Sequence, residues 1–334
     1  MKAGKVSQTV YRRSILKQLH IEQASVLLTP SQEESCYGIR ATGGEQVLAS
    51  SVSLYGNEKD LCVFAMAKAA NDLAAKGAQV KGFAIEILLP EYAYESRLKT
   101  MVALAEEAAQ KEKLQIIEAN AQSAPALHTT IVQVTAIGTV KEEQVLQCHK
   151  AKPGQEIVQL KWIGLEGALR VKREKEEELK GRFIPAFVNR VEAGKKELFS
   201  MSAMETAAAT GVSAMHQIGE GGIFAALWEL AESAGIGLSV DMRKMAVKQE
   251  TIEVCECFYL NPYQLTSTGS VLLVTDNGEE LADALNKNGM PATVIGYTTK
   301  ETERVIMNGE EKRYLDRPAQ DEFARFFAES HAER

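Results

Sequence analysis

Residues 216–222 read His-Gln-Ile-Gly-Glu-Gly-Gly and run directly into an apolar helical pattern that ends near Gly235. Paired glycines let the backbone adopt positive φ and approach a ligand closely. A helix that opens there points unpaired N–H groups at the turn, an arrangement that favours an anion such as phosphate. Glu220 fits the same dipole as a first-turn residue. The turn is not the dinucleotide pattern, because Phe224 stands where the third glycine would be, and no Gly-Lys-Ser/Thr follows to make a P-loop. The plainer reading is a tight strand-to-helix connection capped by its own glutamate.

Other candidates for chemistry carry less. Cys148 and His149 are adjacent, but no second pair lies at ligand spacing, so packing or surface roles are expected. Cys255 and Cys257 lie two apart on a predicted helix, a spacing that does not put both on one face. His216, beside the turn, suits either general acid/base work or a hydrogen-bonded structural role, and the second is expected. His20, His128 and His331 have no companions, and Trp162 and Trp228 suit core or interface positions. There is no Ser-His-Asp set and no nucleophile elbow.

The elements that must position these residues alternate between strand and helix patterns, which predicts an α/β protein. Strands are expected in EQVLASSVSL, VKGFAIEILL, LQIIEANA and TTIVQVTAIGTV, with Val132, Val134 and Ala136 on one face and Gln133 and Thr135 on the other. Helices are expected from Glu58 to Gly77 and from Tyr94 to Lys113, the second with a stripe of Leu98, Met101, Val102 and Ala105. Pro153-Gly154 marks a boundary, so domains are expected at 1–150 and 151–334. In the second half, strands alternate with helices, a strand pair flanks MNGEEKRY, and a helix closes the chain. The charge run Lys172 to Lys180 reads as a solvated helical face.

With 334 residues, 45% apolar and 25% charged, the chain has an ordinary globular composition. A net charge of −7 argues against nucleic acid as the main partner. No apolar run is long enough to span a bilayer. The basic N-terminus, without an apolar core, reads as a short helix capped by Ser7 rather than a leader. Five irregularly spaced cysteines are not a disulfide framework, and a reducing cytoplasm is expected.

Four segments together resemble the AIR synthetase (PurM-like)/HypE superfamily: NDLAAKGAQ from Asn71, KPGQEIVQLKWIGLEG from Lys152, IGEGGIFAALWELAESAGIGLSVD from Ile218, and LNPYQLTSTGSVLLV from Leu260. They occur in family order over nearly the whole chain. The resemblance implies a two-domain PurM-like α/β (α+β) fold, with N-terminal strands that form a barrel across a homodimer. It also implies ATP in a cleft, Mg²⁺ held by acidic side chains, and phosphoryl transfer that activates a small amide, carboxamide or phosphorylated substrate.

Several expected acids are absent. By resemblance the metal and nucleotide positions are Ser35, Ser51, Asn71, Asp72, Asn120, Gln217, Gly219, Glu220, Gly221 and Gly222. Ser35, Ser51, Asn120 and Gln217 stand where the family carries aspartates or comparable acids, and Asp72 is the retained metal candidate. Glu34 and Glu118 are potential substitutes, Glu118 because it shares a strand face with Asn120. Mg²⁺ requires anionic oxygens, and hydroxyls or amides remove full charges. The end FFAESHAER offers no cysteine for carbamoyl carriage. The expectation is therefore a cytoplasmic homodimer with a degenerate Mg-ATP site that binds a metabolite or nucleotide without turnover. The alternative is an active ATP-dependent enzyme.

Overall fold

The computed structural model describes residues 8–9, 26–28, 33, 37–40 and 44–332. The expectations at Ser7, Glu34 and Ser35 lie outside these residues. Contacts divide the described residues into two units: residues 26–28, 37–40 and 44–145 form the first, and residues 8–9, 33 and 146–332 the second.

The first unit is built on six strands among the described residues: β1 (Val26–Leu28), β2 (Tyr37–Arg40), β3 (Glu45–Gly56), β4 (Gln79–Pro90), β5 (Gln115–Ala124) and β6 (Thr130–Lys141), in the order β1-β2-β3-β6-β4-β5. All neighbours are antiparallel except β4 and β5. The parallel pair needs a crossover, which α2 (Glu95–Lys111) supplies. Before it, α1 (Leu61–Ala74) is rich in Ala, Leu and Met and is buried at every position except Lys68. A helix buried nearly all round belongs inside a core. Val52, Leu54, Ile85, Ile87, Val132 and Val134 fill the covered face of the sheet with Phe64, Met66 and Leu73. As the alternation predicts, Ser51, Ser53 and Gln133 are exposed on the other face. Edge strand β5 is exposed along most of its length, and Ile117 is 58% exposed.

The second unit is a seven-stranded sheet in the order β13-β12-β9-β11-β7-β10-β8. Its strands are β7 (Glu156–Leu160), β8 (Ala214–Gln217), β9 (Gly237–Asp241), β10 (Val271–Thr275), β11 (Ala292–Thr299), β12 (Arg304–Asn308) and β13 (Glu311–Tyr314). Only β9 and β12 pair in parallel. The strand pair expected around MNGEEKRY is the β12–β13 hairpin.

Helices α3 (Leu165–Glu174), α4 (Glu176–Arg182), α5 (Pro185–Ala193), α6 (Met201–Ala209), α7 (Gly222–Ala234), α8 (Gln249–Cys257), α9 (Gly278–Lys287) and α10 (Glu322–His331) complete this unit. Ile223, Ala226, Leu227 and Leu230 of α7 pack with Leu238, Val240 and Ile295.

One local expectation needs correction. The charge run is not one solvated face: the chain breaks at Lys175 between α3 and α4, and Lys172 is buried. Lys172 Nζ lies 2.9 Å from Glu192, which also pairs with the Arg173 guanidinium at 2.7 Å. Burial alone would raise the Glu192 carboxyl, but the two cations outweigh it and hold it down at about 2. Residues 185–193 show no clear periodicity yet form a helix. There Pro185 opens α5, which buries Phe187, Val188 and Val191.

Candidate functional site

In the first unit the expected positions fall on two layers. Ser51 and Asn120 lie on the open face of the sheet. Ser51 Oγ is 2.8 Å from Thr135 Oγ1, and Asn120 Nδ2 donates to Glu118 Oε1 at 3.0 Å. The register lays Ser51 beside Thr135, Ala84 and Glu118, and Ser53 beside Gln133, Glu86 and Asn120. Gln122 donates to Glu86 at 3.0 Å. The open face is thus a polar lattice with two carboxylates, Glu86 and Glu118.

Asn71 and Asp72 lie instead on α1, against the covered face, with Asp72 only 6% exposed. Asp72 Oδ2 accepts from Ser50 Oγ at 3.0 Å. Ser50, not Ser51, is therefore the strand residue that meets the retained aspartate. A one-residue step along a strand turns a side chain to the opposite face.

In the second unit β8 leads into the glycine turn. Gln217 is buried at the end of the strand, and Ile218 N–H is bonded to Ser270 O at 2.8 Å. Gly221 and Gly222 have φ of +79° and +65°. A Cβ on Gly222 would fall 2.4 Å from the Tyr263 carbonyl oxygen, so the position needs glycine for both conformation and close approach. Gly219 and Glu220 are half-buried in the preceding bend.

No acid lies in the first turn of α7 and no side chain of its own caps it, so the self-capping role expected for Glu220 is not realised. The anion comes from 100 residues downstream, where Asp321 Oδ2 accepts from Gly221 N–H at 2.7 Å. Asp321 also caps α10, with Oδ1 accepting from Phe323 N–H at 2.8 Å and Ala324 N–H at 3.3 Å. One carboxylate serves two helix N-termini. Its burial raises the carboxyl, the Gly221 and Phe323 N–H groups work against that rise, and the charges of Glu220 and Glu166 add to it; the result is about 7. Beside it, Arg170 lies 4.0 Å over the Phe323 ring and 3.6 Å from Glu166, which accepts from Thr266 Oγ1 at 2.7 Å.

Behind the turn lies a constellation the sequence did not disclose. Cys148 and His149 do not act as a pair: Cys148 is buried and His149 is exposed. The histidine that meets Cys148 is His216, whose Nδ1 is 3.7 Å from Sγ. On its other side, His216 Nε2 is 2.9 Å from Glu229 Oε2 on α7. Burial pushes the imidazolium down, but the Cys148 sulfur and the Glu229 carboxylate outweigh it and hold it up at about 10. The hydrogen-bonded placement expected of His216 is thus present. Its partners lie 68 and 13 residues away, which only a folded chain reveals.

Comparison with known proteins finds similar chains and a matching domain family. Residues 152–308 match the model for AIR synthase related protein, C-terminal domain. A Methanocaldococcus jannaschii protein named for hydrogenase expression/formation is 24% identical over 96% of each chain. The carbamoyl dehydratase HypE of Rhodobacter capsulatus is 23% identical over 72% of this chain and 71% of its own. Among solved structures, the hydrogenase maturation protein HypE in complex with ATP superposes with a TM-score of 0.70 at 17% identity, covering 96% of this chain and 97% of that one. Residues 152–308 thus carry an AIR synthase related C-terminal domain, and the chain as a whole is similar to HypE proteins and shares their fold.

Proposed function

We propose that this chain is a HypE-like, AIR-synthase-related homodimer whose Mg-ATP site is degenerate, so that it holds a nucleotide or small phosphorylated metabolite weakly or without turnover. ATP enters this reading from the solved relative that carries it. The observation that supports it best is the bond from Gly221 N–H to Asp321: the amide that a phosphate oxygen would use is paired with a carboxylate of the chain itself. Asp72, the retained acid, is buried against Ser50. Ser51, Asn120 and Gln217 supply hydroxyl and amide oxygens where Mg²⁺ requires anionic ones. Hydroxyl and amide oxygens do not fit a magnesium site.

A homodimer agrees with the exposed β5 edge and with Ile117, since an open strand edge is a template for pairing. A cytoplasmic setting agrees with Cys62, Cys148, Cys255 and Cys257 as free thiols. No helix among the described residues is long and apolar enough to cross a membrane.

One observation favours an active ATP-dependent enzyme instead: Glu86 and Glu118 share the open face with Asn120 and could act as substitute acids. A thermal-shift titration with ATP, with and without Mg²⁺, separates the two readings. Degeneracy predicts a small, metal-independent rise or none, and no ADP release. A metal-dependent rise with steady ADP release, lost in Asp72→Ala or Glu118→Gln, refutes it.

A further inference from the structure

We propose that Cys148, His216 and Glu229 form a base-activated thiol site that reacts with small, uncharged carbon electrophiles. The order of groups is nucleophile, base and orienting carboxylate, the arrangement by which protein thiols are activated. The sulfur is 3.7 Å from one ring nitrogen of His216, and the other nitrogen is 2.9 Å from Glu229. Both ring nitrogens are therefore spoken for, and Glu229 fixes which one faces the sulfur. Cys148 Sγ also lies 3.7 Å from the Met215 carbonyl oxygen, which holds it on the β8 side of the ring. The Glu229 side chain is 16% exposed, so the buried chain of groups ends at solvent and protons can exchange there.

Among the described residues, the buried thiols of Cys62 and Cys255 lack this company. Burial pushes both Cys62 and Cys255 up to about 12. A buried thiol without a base is inert, so these two are internal references.

Access to Cys148 comes through its own backbone. It opens a single 3-10 turn, Cys148–Lys150, whose other two residues, His149 and Lys150, are exposed. Two bonds close that turn: Lys150 N–H to Gln147 O at 3.0 Å and Ala151 N–H to Cys148 O at 3.1 Å. A one-turn element opens at lower cost than a core strand or helix. The S–H proton is given up to the His216–Glu229 pair before the electrophile arrives, leaving an imidazolium whose Nδ1–H faces the sulfur. The sulfur electron pair then forms the S–C bond, and the leaving group departs with the electrons of the bond that breaks.

The test is native labelling with iodoacetamide at pH 7 on the full chain, followed by mass spectrometry of each cysteine peptide over time. Here iodide is the leaving group. Cys148 should label at least about tenfold faster than Cys62 and Cys255. His216→Gln and Glu229→Gln should each slow it about tenfold or more, while the two references stay unchanged. Should His216→Gln loosen the fold, visible as faster labelling of the references, Glu229→Gln decides. Equal labelling of Cys148 and the references, or a Cys148 rate indifferent to Glu229→Gln, overturns the proposal.

Discussion

Asp321 offers the sharpest test of how the glycine turn is held. Its carboxyl titrates at about 7 in the folded protein, against 3.8 for an ordinary aspartate. Between these values the unfolded chain has released the proton and the folded chain still holds it. The group therefore stabilises the fold fully below pH 3.8, and that stability is lost as pH rises through 7. From pH 5 to pH 7 the loss grows with each pH unit, and above pH 7 it levels off, so by pH 8 it is on the order of 3 kcal/mol. Asp321→Asn keeps an oxygen to cap α10 and removes the titration. Both tryptophans, Trp162 and Trp228, lie in the second unit, so their fluorescence during urea unfolding reports on that unit. Wild type should lose on the order of 3 kcal/mol more than Asp321→Asn between pH 5 and pH 8. Parallel pH profiles within about 0.5 kcal/mol would mean that this carboxylate is not buried against Gly221, and the reasoning from the glycine turn would fail with it.

Three further outcomes follow from named contacts. Gly222→Ala combines a φ of +65° with a Cβ 2.4 Å from the Tyr263 carbonyl oxygen; it should cost about 2–4 kcal/mol in the same urea assay. His216, raised from 6.5 to about 10, contributes stability present below pH 6.5 and lost as pH rises through 10; melting temperatures over that range should fall less steeply in Glu229→Gln, and equal slopes would contradict the His216–Glu229 pairing. Ile117→Asp places a charge on the exposed β5 edge; sedimentation velocity should show dimer in wild type and monomer in the variant, whereas an unaltered dimer would remove β5 from the interface.

Local pattern alone made much of this protein legible. The alternation of Val132, Val134 and Ala136 with Gln133 and Thr135 identifies β6 and its buried face, because strand side chains alternate with period two. The apolar spacing of Met101 and Ala105 does the same for α2, and the glycines at 221 and 222 announce a positive-φ turn before a helix. The order of four motifs carries the resemblance to HypE proteins. What no local pattern contains is the identity of a distant partner. That Gly221 is answered by Asp321, that Cys148 turns from His149 to His216, and that Ser50 rather than Ser51 meets Asp72 are each decided by strand register and helix packing. Periodicity constrains which face a residue takes. Only the closed chain brings carboxylate, imidazole and thiol to within hydrogen-bonding reach, and there the chemistry of the site is set.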